Sequence, residues 1–198
     1  MRGKKILLRP IRKSDLSILN IWKNDEELYK YLGGGFQPLS QEQQEKWMDS
    51  MIDMTGNHRR FMVLDMEETP IGMVGLYEIN WIHRTCEIGV YIGEVQARGK
   101  GYASEACQIV EAFAVEYLNL RKIKLKVVSE NVAAQCMWEK LGYQVVGEYK
   151  QERFIQGHYC DVILMEKFIN SGGVLYRIKV GNCFKRKEYI LPFIKEAV

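Results

Sequence analysis

A glycine-rich segment between a strand-like stretch and a helix-like stretch constrains the fold of this chain most. The segment reads Gln-Ala-Arg-Gly-Lys-Gly-Tyr-Ala over residues 96–103. Glycines at such a junction let backbone N–H groups turn toward one point, and the N-terminus of the following helix adds positive potential. Arg98 and Lys100 place cationic side chains beside the glycines. The segment therefore predicts a cradle for a phosphate or pyrophosphate, with a simple tight turn as the alternative.

Two widespread phosphate-binding motifs do not fit this segment. A Walker loop needs Ser or Thr after Gly-Lys, whereas Gly99-Lys100 is followed by Gly101. A dinucleotide-binding fingerprint needs a third small residue at the glycine position where Ser104 stands, and it needs a preceding βαβ unit. Neither a nucleoside-triphosphate loop nor a dinucleotide fold is therefore predicted.

The segments before the cradle have the two-residue period of β-strands. They cover residues 60–64, 71–77 and 85–92 and are joined by short connections, which predicts an antiparallel meander. In the third segment the even-numbered residues from Cys86 to Ile92 share one face, and Glu87 and Tyr91 lie on the other. Glu87 is thereby separated from the apolar face of its strand.

The rest of the pattern predicts a mixed α/β sheet flanked by helices. Helical spacing occurs before the meander, after Tyr102 and after Asn131, where Asn131 is placed to cap a helix. Further strand-like segments cover residues 122–128, 143–149 and 161–168. The order of strand, helices, three strands, helix, strand, helix and two strands is typical of one α/β domain.

Composition and length narrow the class of protein. The 198 residues are 47% hydrophobic and 27% charged, which is typical of a soluble globular domain with one core. The net charge of +3 is evenly spread, so no nucleic-acid partner is expected, and no apolar run approaches the roughly 20 residues that span a membrane. The five cysteines lie far apart without a Cys-x-x-Cys pair, so reduced thiols, no metal site and a cytoplasmic location are expected.

A Ser-Gly-Gly sequence at residues 171–173 indicates a hinge near the end of the chain. We therefore divide the chain into a domain at residues 1–168 and a C-terminal extension at residues 169–198. The extension is too short for an independent core. It is expected to dock on the domain or to exchange with a second subunit, which makes a homodimer one expected state.

Four ordered elements resemble the GNAT family of N-acetyltransferases. The cradle is similar to the family's acetyl-CoA pyrophosphate loop, and residues 131–143, Asn-Val-Ala-Ala to Trp-Glu-Lys-Leu-Gly-Tyr, are similar to its Asn-x-x-Ala to Leu-Gly-Phe segment. Residues 87–92 and 157–165 resemble the ribosomal-protein (RimJ/RimL-like) branch. Residues 59–61 and 78–84 resemble bacterial spermidine acetyltransferases.

This resemblance implies a mostly antiparallel sheet in which two parallel strands, residues 85–92 and 122–128, splay apart to hold acetyl-CoA. No metal is implied. The pantetheine arm would pair with the backbone of the first strand and contact Asn131, and the pyrophosphate would sit on the cradle. The implied cofactor-binding residues are Val90, Tyr91, Ile92, Arg98, Gly99, Lys100, Gly101, Tyr102, Ala103 and Asn131.

The implied reaction transfers acetyl directly to a primary amine, of a small molecule or of a protein N-terminus. A lysine-like amine titrates near about 10.4, so a base must help at neutral pH. Glu87 is the candidate, directly or through a water, and an ion pair with Arg84 or another neighbour is its structural alternative. Weaker candidates are Glu78 and Glu94. His83 and His158 fit turn residues better than bases.

Trp138 departs from the family pattern, because it stands where many relatives carry a tyrosine that protonates the departing thiolate. An indole cannot deliver that proton, and Trp138 lies on the apolar stripe of its helix, which favours packing. A thiol with a pKa of about 8.5 can still leave unaided. Tyr91, Tyr102 and Tyr143 are the alternative acids.

The acceptor pocket is expected between residues 25–27, 33–37 and 156–161. Residues 32–36, Leu-Gly-Gly-Gly-Phe, lack the acidic pair of spermidine enzymes. Polyamines, amino sugars, aminoglycoside-like antibiotics and protein N-termini therefore stay open as acceptors.

Two other classes of function compete with the enzyme. A non-catalytic acyl-CoA sensor would explain Trp138, and a nucleic-acid binder would use Lys122, Lys124, Lys126 and the basic residues 185–187.

Overall fold

A seven-stranded sheet forms the centre of the protein, in the order β1-β2-β3-β4-β5-β7-β6. The computed structural model describes residues 1–170 and the backbone of two further strands. The strands are β1 Leu7–Pro10, β2 Arg59–Leu64, β3 Pro70–Asn80, β4 Thr85–Ile92, β5 Lys122–Val128, β6 Gln144–Ile155, β7 His158–Phe168, β8 Tyr176–Val180 and β9 Cys183–Lys187. All neighbours in the large sheet are antiparallel except β4 and β5, which confirms the predicted meander and parallel pair.

In the described part of the chain, five α-helices cover the sheet. They are α1 Leu16–Lys23, α2 Glu26–Tyr29, α3 Gln41–Ile52, α4 Tyr102–Glu116 and α5 Val132–Lys140. Ser40 accepts a hydrogen bond from the Gln43 N–H at 3.2 Å, and the Gln43 side chain returns one to the Ser40 N–H, so α3 begins in a capping box. None of the helices in the described part of the chain has the length and hydrophobicity needed to cross a bilayer.

Two cores lie on opposite faces of the sheet, as the alternation of β4 predicts. Cys86 and Ile88 belong to the core shared with α4 and α5, whereas Tyr91 belongs to the core under α1 and α3. The expected apolar stripe of α4 is confirmed at Ala106 and Val110. The helical spacing also places Tyr117 on this stripe, but Tyr117 follows the last helical residue and is 75% exposed.

The hairpin of β6 and β7 is longer than the pattern indicates. Residues 150–155 were expected in a loop, but β6 continues through them, with a shift of register between Tyr149 and Arg153 and a left-handed Gln151 at φ 51°. Both faces of this extension are mostly exposed, so it has no apolar alternation to reveal it. Its turn is made by Gln156 and Gly157, both with positive φ.

The C-terminal extension begins beside the sheet, where the Ile169 N–H donates to the Arg121 carbonyl at 2.9 Å. Strands β8 and β9 pair with each other in a separate two-stranded sheet. The expected docking or exchange of the extension lies outside the described residues.

Asp15 ties β1 to the start of α1 through a buried carboxylate that is 4% exposed. Arg9 donates two hydrogen bonds of 2.7 Å to its two oxygens, and the Arg12 N–H donates a third at 2.8 Å. Burial alone would raise the pKa of Asp15, but the hydrogen bonds and charges of Arg9 and Arg12 outweigh it and hold that pKa below its ordinary 3.8. The carboxylate therefore stabilises the fold only while it is ionised.

We predict that Asp15→Asn lowers the free energy of unfolding at neutral pH by about 2 kcal/mol, because charge-assisted hydrogen bonds are lost. A depressed pKa contributes stability above the unfolded-state value and loses it as the pH falls through the folded-state value. The gap between wild type and variant should thus close below pH 3.8. Urea unfolding against pH measures it.

Asp49→Asn is the matched control, because Asp49 pairs with Lys13 at 3.5 Å with both side chains 80% exposed. An equal loss of stability in both variants, or a gap that persists in acid, would contradict the role given to Asp15.

Candidate active site

Strands β4 and β5 are paired only at the start of their course. Their register runs through Thr85 with Lys122, Cys86 with Ile123, and Glu87 with Lys124, and then stops. Each strand keeps its other neighbour to the end, because β3 pairs with β4 as far as Ile92 and β7 pairs with β5 as far as Val128. The remaining halves of β4 and β5 therefore face a gap across which no strand pairing is made. This is the splay that the sequence resemblance implies.

The predicted cradle lies at the open end of this gap. Gly99 and Gly101 have φ of +75° and +83°, a left-handed conformation that side chains with a Cβ seldom adopt. Among the described residues, none of the N–H groups from Gly99 to Ala103 has a hydrogen-bond acceptor. A Cβ added at either glycine would meet nothing within 4 Å, so the approach is open. A row of free N–H groups at the start of α4 fits an anion such as a pyrophosphate.

The guanidinium of Arg98 closes the junction between β4 and the cradle. It donates to the carbonyls of Ile92 and Gly93, both at 3.1 Å. Arg98 thus lies beside the cradle, as predicted, but its charge is also used to fix the end of the strand. Val90, Tyr91 and Ile92 pair with β3 on one edge and present their other edge to the gap.

Three contacts at this junction are not evident from the sequence. A Cβ on Gly93 would lie 2.3 Å from the Trp22 indole, so only glycine fits against that ring. The Trp22 Nε1 donates a hydrogen bond to the Glu94 carboxylate at 2.9 Å, so this weaker candidate base already has a partner. Lys5 places its Nζ 3.4 Å from the Lys100 carbonyl, which adds a cation beside the cradle. The partners in each contact lie far apart in the sequence, so no local pattern predicts these contacts.

Asn131 lies at the end of the loop after β5. Its Oδ1 accepts a hydrogen bond from the Ala134 N–H at 3.2 Å, which confirms the predicted cap of α5. The cap fixes the side chain beside the open half of β5.

Glu87 lies where the splay begins, on the face of the sheet that carries Tyr91. Its carboxylate is 3.3 Å from Lys126, and the two side chains are 24% and 46% exposed. The expected ion-pair alternative is thus formed with Lys126 and not with Arg84, which instead hydrogen-bonds to Asn119. Glu87 is thus accessible and has a cationic neighbour on the facing strand.

The other predicted bases lie elsewhere. Glu78 is exposed with a left-handed backbone at φ 50°, and His83 lies in the turn between β3 and β4. His158 is not a simple turn residue, because it opens β7 and its Nε2 lies 2.7 Å from a Glu130 carboxylate oxygen.

The aromatic residues near the gap are mostly buried. Trp138 is 5% exposed and packs edge-on against Tyr143 at 5.1 Å between ring centroids, which confirms its packing role. Burial, followed by the charge of Glu111, raises the pKa of Tyr143 well above its ordinary value. Burial and the neighbouring Tyr29 likewise raise the pKa of Tyr91. Both phenols hold their protons tightly and are poor acids. Tyr102, the third alternative acid, is the first residue of α4 and lies at the cradle.

Two cysteines lie close to the gap but inside the core. Cys86 directly precedes Glu87, and Cys107 lies on α4; both are at most 1% exposed. Burial raises the pKa of Cys86 to about 12 and also raises that of Cys107. Both residues are therefore held as neutral thiols.

The predicted acceptor wall is brought together by the tip of the β6–β7 hairpin. Gln156 donates to Glu26 of α2 at 3.2 Å. Arg153 donates to the carbonyls of Tyr31 and Leu32 at 3.2 and 3.0 Å, which anchors the start of the glycine loop at residues 33–35. The early helices and the last strands thus form one surface, as the sequence predicts.

Carboxylates on this wall differ in their partners. Glu27 pairs with Lys30 at 2.6 Å, and Asp161 pairs with Lys150 at 2.9 Å. In the described chain, Glu26 and Glu130 have no ion pair with Lys or Arg. Glu26 accepts a hydrogen bond from Gln156, and Glu130 contacts His158, so both acids keep negative charge on the wall that no described lysine or arginine pairs directly.

Comparisons with known proteins agree with this geometry. Residues 5–144 match the model of the acetyltransferase (GNAT) domain family. The spermidine N(1)-acetyltransferase of Vibrio cholerae is 31% identical over 178 residues, which cover 85% of this chain and 98% of that protein.

Solved structures of that enzyme have the same fold. Its complex with CoA and spermine has a TM-score of 0.77 at 31% identity and covers 84% of this chain and 96% of that chain. A dodecameric structure of the enzyme has a TM-score of 0.73 at 30% identity, over 84% of this chain and 95% of that one. The homodimer expected for the present chain stays a prediction.

We predict that Gly99→Glu weakens CoA binding by roughly 100-fold or more, because a like charge would enter the cradle where phosphate approaches. Isothermal titration with CoA measures this affinity.

Gly34→Glu is the control, because Gly34 also has a positive φ of 84° and open space around it but lies in the loop by α2. An unchanged CoA affinity in Gly99→Glu, or an equal loss in Gly34→Glu, would contradict the cradle.

Proposed function

This chain belongs to the GNAT family and is an acetyl-CoA-dependent N-acetyltransferase, and from that premise we propose that its acceptor is a linear polyamine such as spermidine. The observation that carries this proposal is the presence on the acceptor wall of two carboxylates, Glu26 and Glu130, that form no ion pair with lysine or arginine among the described residues. A polyamine presents several ammonium groups along a flexible chain, so separated carboxylates bind it while its free end reaches the splay. The relatedness to spermidine enzymes supports the same acceptor.

These acids differ in position from those of spermidine enzymes, whose pair would fall at residues 32–36. There this chain carries three consecutive glycines between Leu32 and Phe36. The negative charge comes instead from α2 and from the loop before α5. The proposed substrate class is therefore that of the spermidine enzymes, but the carboxylates that would select it lie at different positions in this chain.

The chain's own groups divide the work of acetyl transfer. The bond from the acetyl carbon to sulfur breaks while a bond to the amine nitrogen forms, and the amine loses a proton. We assign that proton to Glu87, directly or through a water, because Glu87 is accessible at the base of the splay. We assign the pantetheine to the open edge of β4 at Val90 to Ile92, where the backbone N–H groups that face the gap would also polarise the thioester carbonyl.

Binding of the donor is assigned to the cradle and its surroundings. Free N–H groups from Gly99 to Ala103 would hold the pyrophosphate, Arg98 and Lys100 would add positive charge, and Asn131 would contact the pantetheine. Trp138, Tyr91 and Tyr143 are buried, so none of them is assigned as the acid for the thiolate. Tyr102 at the start of α4 stays the candidate. The sensor alternative rested on Trp138, whose place in the core accounts for it as a packing residue.

The acceptor is tested by a turnover screen. We expect release of CoA from acetyl-CoA to be fastest with spermidine and spermine, compared with amino sugars, aminoglycosides and N-terminal peptides. Glu26→Gln should raise the KM for spermidine about fivefold with little change in kcat, because one partly solvated ion pair of about 1 kcal/mol is lost.

Glu67→Gln is the matched control, since Glu67 is exposed in the turn between β2 and β3. Faster turnover of a non-polyamine amine, or equal KM values in the two variants, would count against a polyamine acceptor while leaving the acetyltransferase activity intact.

The assignment of Glu87 has its own test. We expect Glu87→Gln to lower kcat about 100-fold at neutral pH, and less at alkaline pH where the amine deprotonates unaided. Steady-state rates against pH measure both effects.

Lys126→Gln removes only the ion-pair partner of Glu87 and is expected to keep kcat within about twofold of the wild type. Equal losses in the two variants, with no dependence on pH, would assign Glu87 to the ion pair instead.

A further inference from the structure

Three side chains of different metal-ligating chemistry meet at the end of the sheet near α5. Glu130 lies in the loop between β5 and α5, and His158 and Cys160 lie on β7. The Glu130 Oε1 is 2.7 Å from the His158 Nε2 and 3.4 Å from the Cys160 Sγ. The three ligand atoms all lie within 4.8 Å of one another.

Strand geometry holds two of these ligands in place. His158 and Cys160 are two residues apart on β7, so their side chains leave the same face of the strand. Glu130 contacts both of them from the loop between β5 and α5.

The three side chains of the cluster differ in burial. Cys160 is 3% exposed and packs with Val128, Ile155 and Val162, whereas Glu130 and His158 are exposed. A cation could therefore enter from solvent and reach a thiol that is fixed in an apolar setting.

Charged neighbours of the cluster are already paired. Lys30, which faces Glu130, is bound to Glu27 at 2.6 Å, and Asp161 beside Cys160 is bound to Lys150 at 2.9 Å. Neither neighbour therefore competes strongly for the three ligands.

We propose that Glu130, His158 and Cys160 form a Zn²⁺ site with a fourth position open to water. Thiolate, imidazole and carboxylate together suit zinc, whereas magnesium and calcium prefer all-oxygen ligands. Tetrahedral bonds of about 2.0–2.3 Å need ligand atoms roughly 3.3–3.7 Å apart. The Cys160–Glu130 distance of 3.4 Å already lies in this range. The 2.7 Å Glu130–His158 contact would open, and the His158–Cys160 pair, which lies within 4.8 Å, would adjust as zinc displaces the thiol proton and the shared proton.

Zinc at this site would join the loop that carries Asn131 to the tip of the β6–β7 hairpin. It would thereby cross-link two parts of the acceptor wall that hydrogen bonds connect now. Zinc and a polyamine ammonium would compete for Glu130, so the inference is tested by metal binding alone, without an amine present.

The test uses the full-length protein, stripped with a chelator and titrated with Co²⁺ and then with Zn²⁺. We expect one Co²⁺ per chain with a thiolate-to-cobalt charge-transfer band, which Zn²⁺ then abolishes. Cys160→Ser should remove the band, and His158→Gln should keep it. Each variant should weaken Zn²⁺ binding by at least the roughly 10- to 100-fold that loss of an outer partner costs.

A variant in which Cys136 and Cys183 are both serine is the control for adventitious thiol binding, since Cys136 is exposed on α5. If Cys160→Ser fails to fold, as seen by circular dichroism, the exposed His158→Gln carries the test. Absence of saturable Zn²⁺ binding, equal affinity in His158→Gln, or loss of binding in the control would overturn the site.

Discussion

Incomplete pairing between β4 and β5 is the constraint on which the rest of the active site depends. A parallel ladder normally continues for the length of its strands, because each unpaired backbone group that is shielded from water costs free energy. Here β3 and β7 hold the outer edges of the two strands to their ends, so the gap cannot close by moving either strand alone. Its open polar groups are therefore available to an extended ligand, and the glycine cradle lies where such a ligand leaves the sheet.

Packing around the cradle fixes the geometry of its backbone. Gly93 fits under the Trp22 indole, whose N–H is bound by Glu94, and Arg98 closes over the last carbonyls of β4. These contacts connect α1, the end of β4 and the start of α4. The free N–H groups from Gly99 to Ala103 thus lie on a backbone that packing already fixes, so less conformational entropy is lost when a ligand binds.

Local patterns in the sequence were sufficient for the antiparallel meander, the cap of α5 and the glycine turn before α4. Alternation in β4 and the Asn131 cap depend on neighbours within a few residues, and both are confirmed. The extension of β6 was missed because its first four residues are polar and its two apolar residues, Phe154 and Ile155, are adjacent, which gives no alternation. The partner of Glu87 and the cluster at Glu130 join distant segments, so their pairing follows only from the assembled sheet. For the same reason His158 was interpreted as a turn residue.

The burial of Cys86 and Cys107 has a consequence for an enzyme that handles a thioester. Exchange of an acyl group between two thiols is nearly balanced in energy, so a reactive cysteine close to the donor would become acylated in place of the amine. Because only the thiolate attacks, a pKa of about 12 at Cys86 leaves almost none of the attacking form at neutral pH. The apolar core that shapes the splay therefore also protects the donor from self-acylation by these two residues.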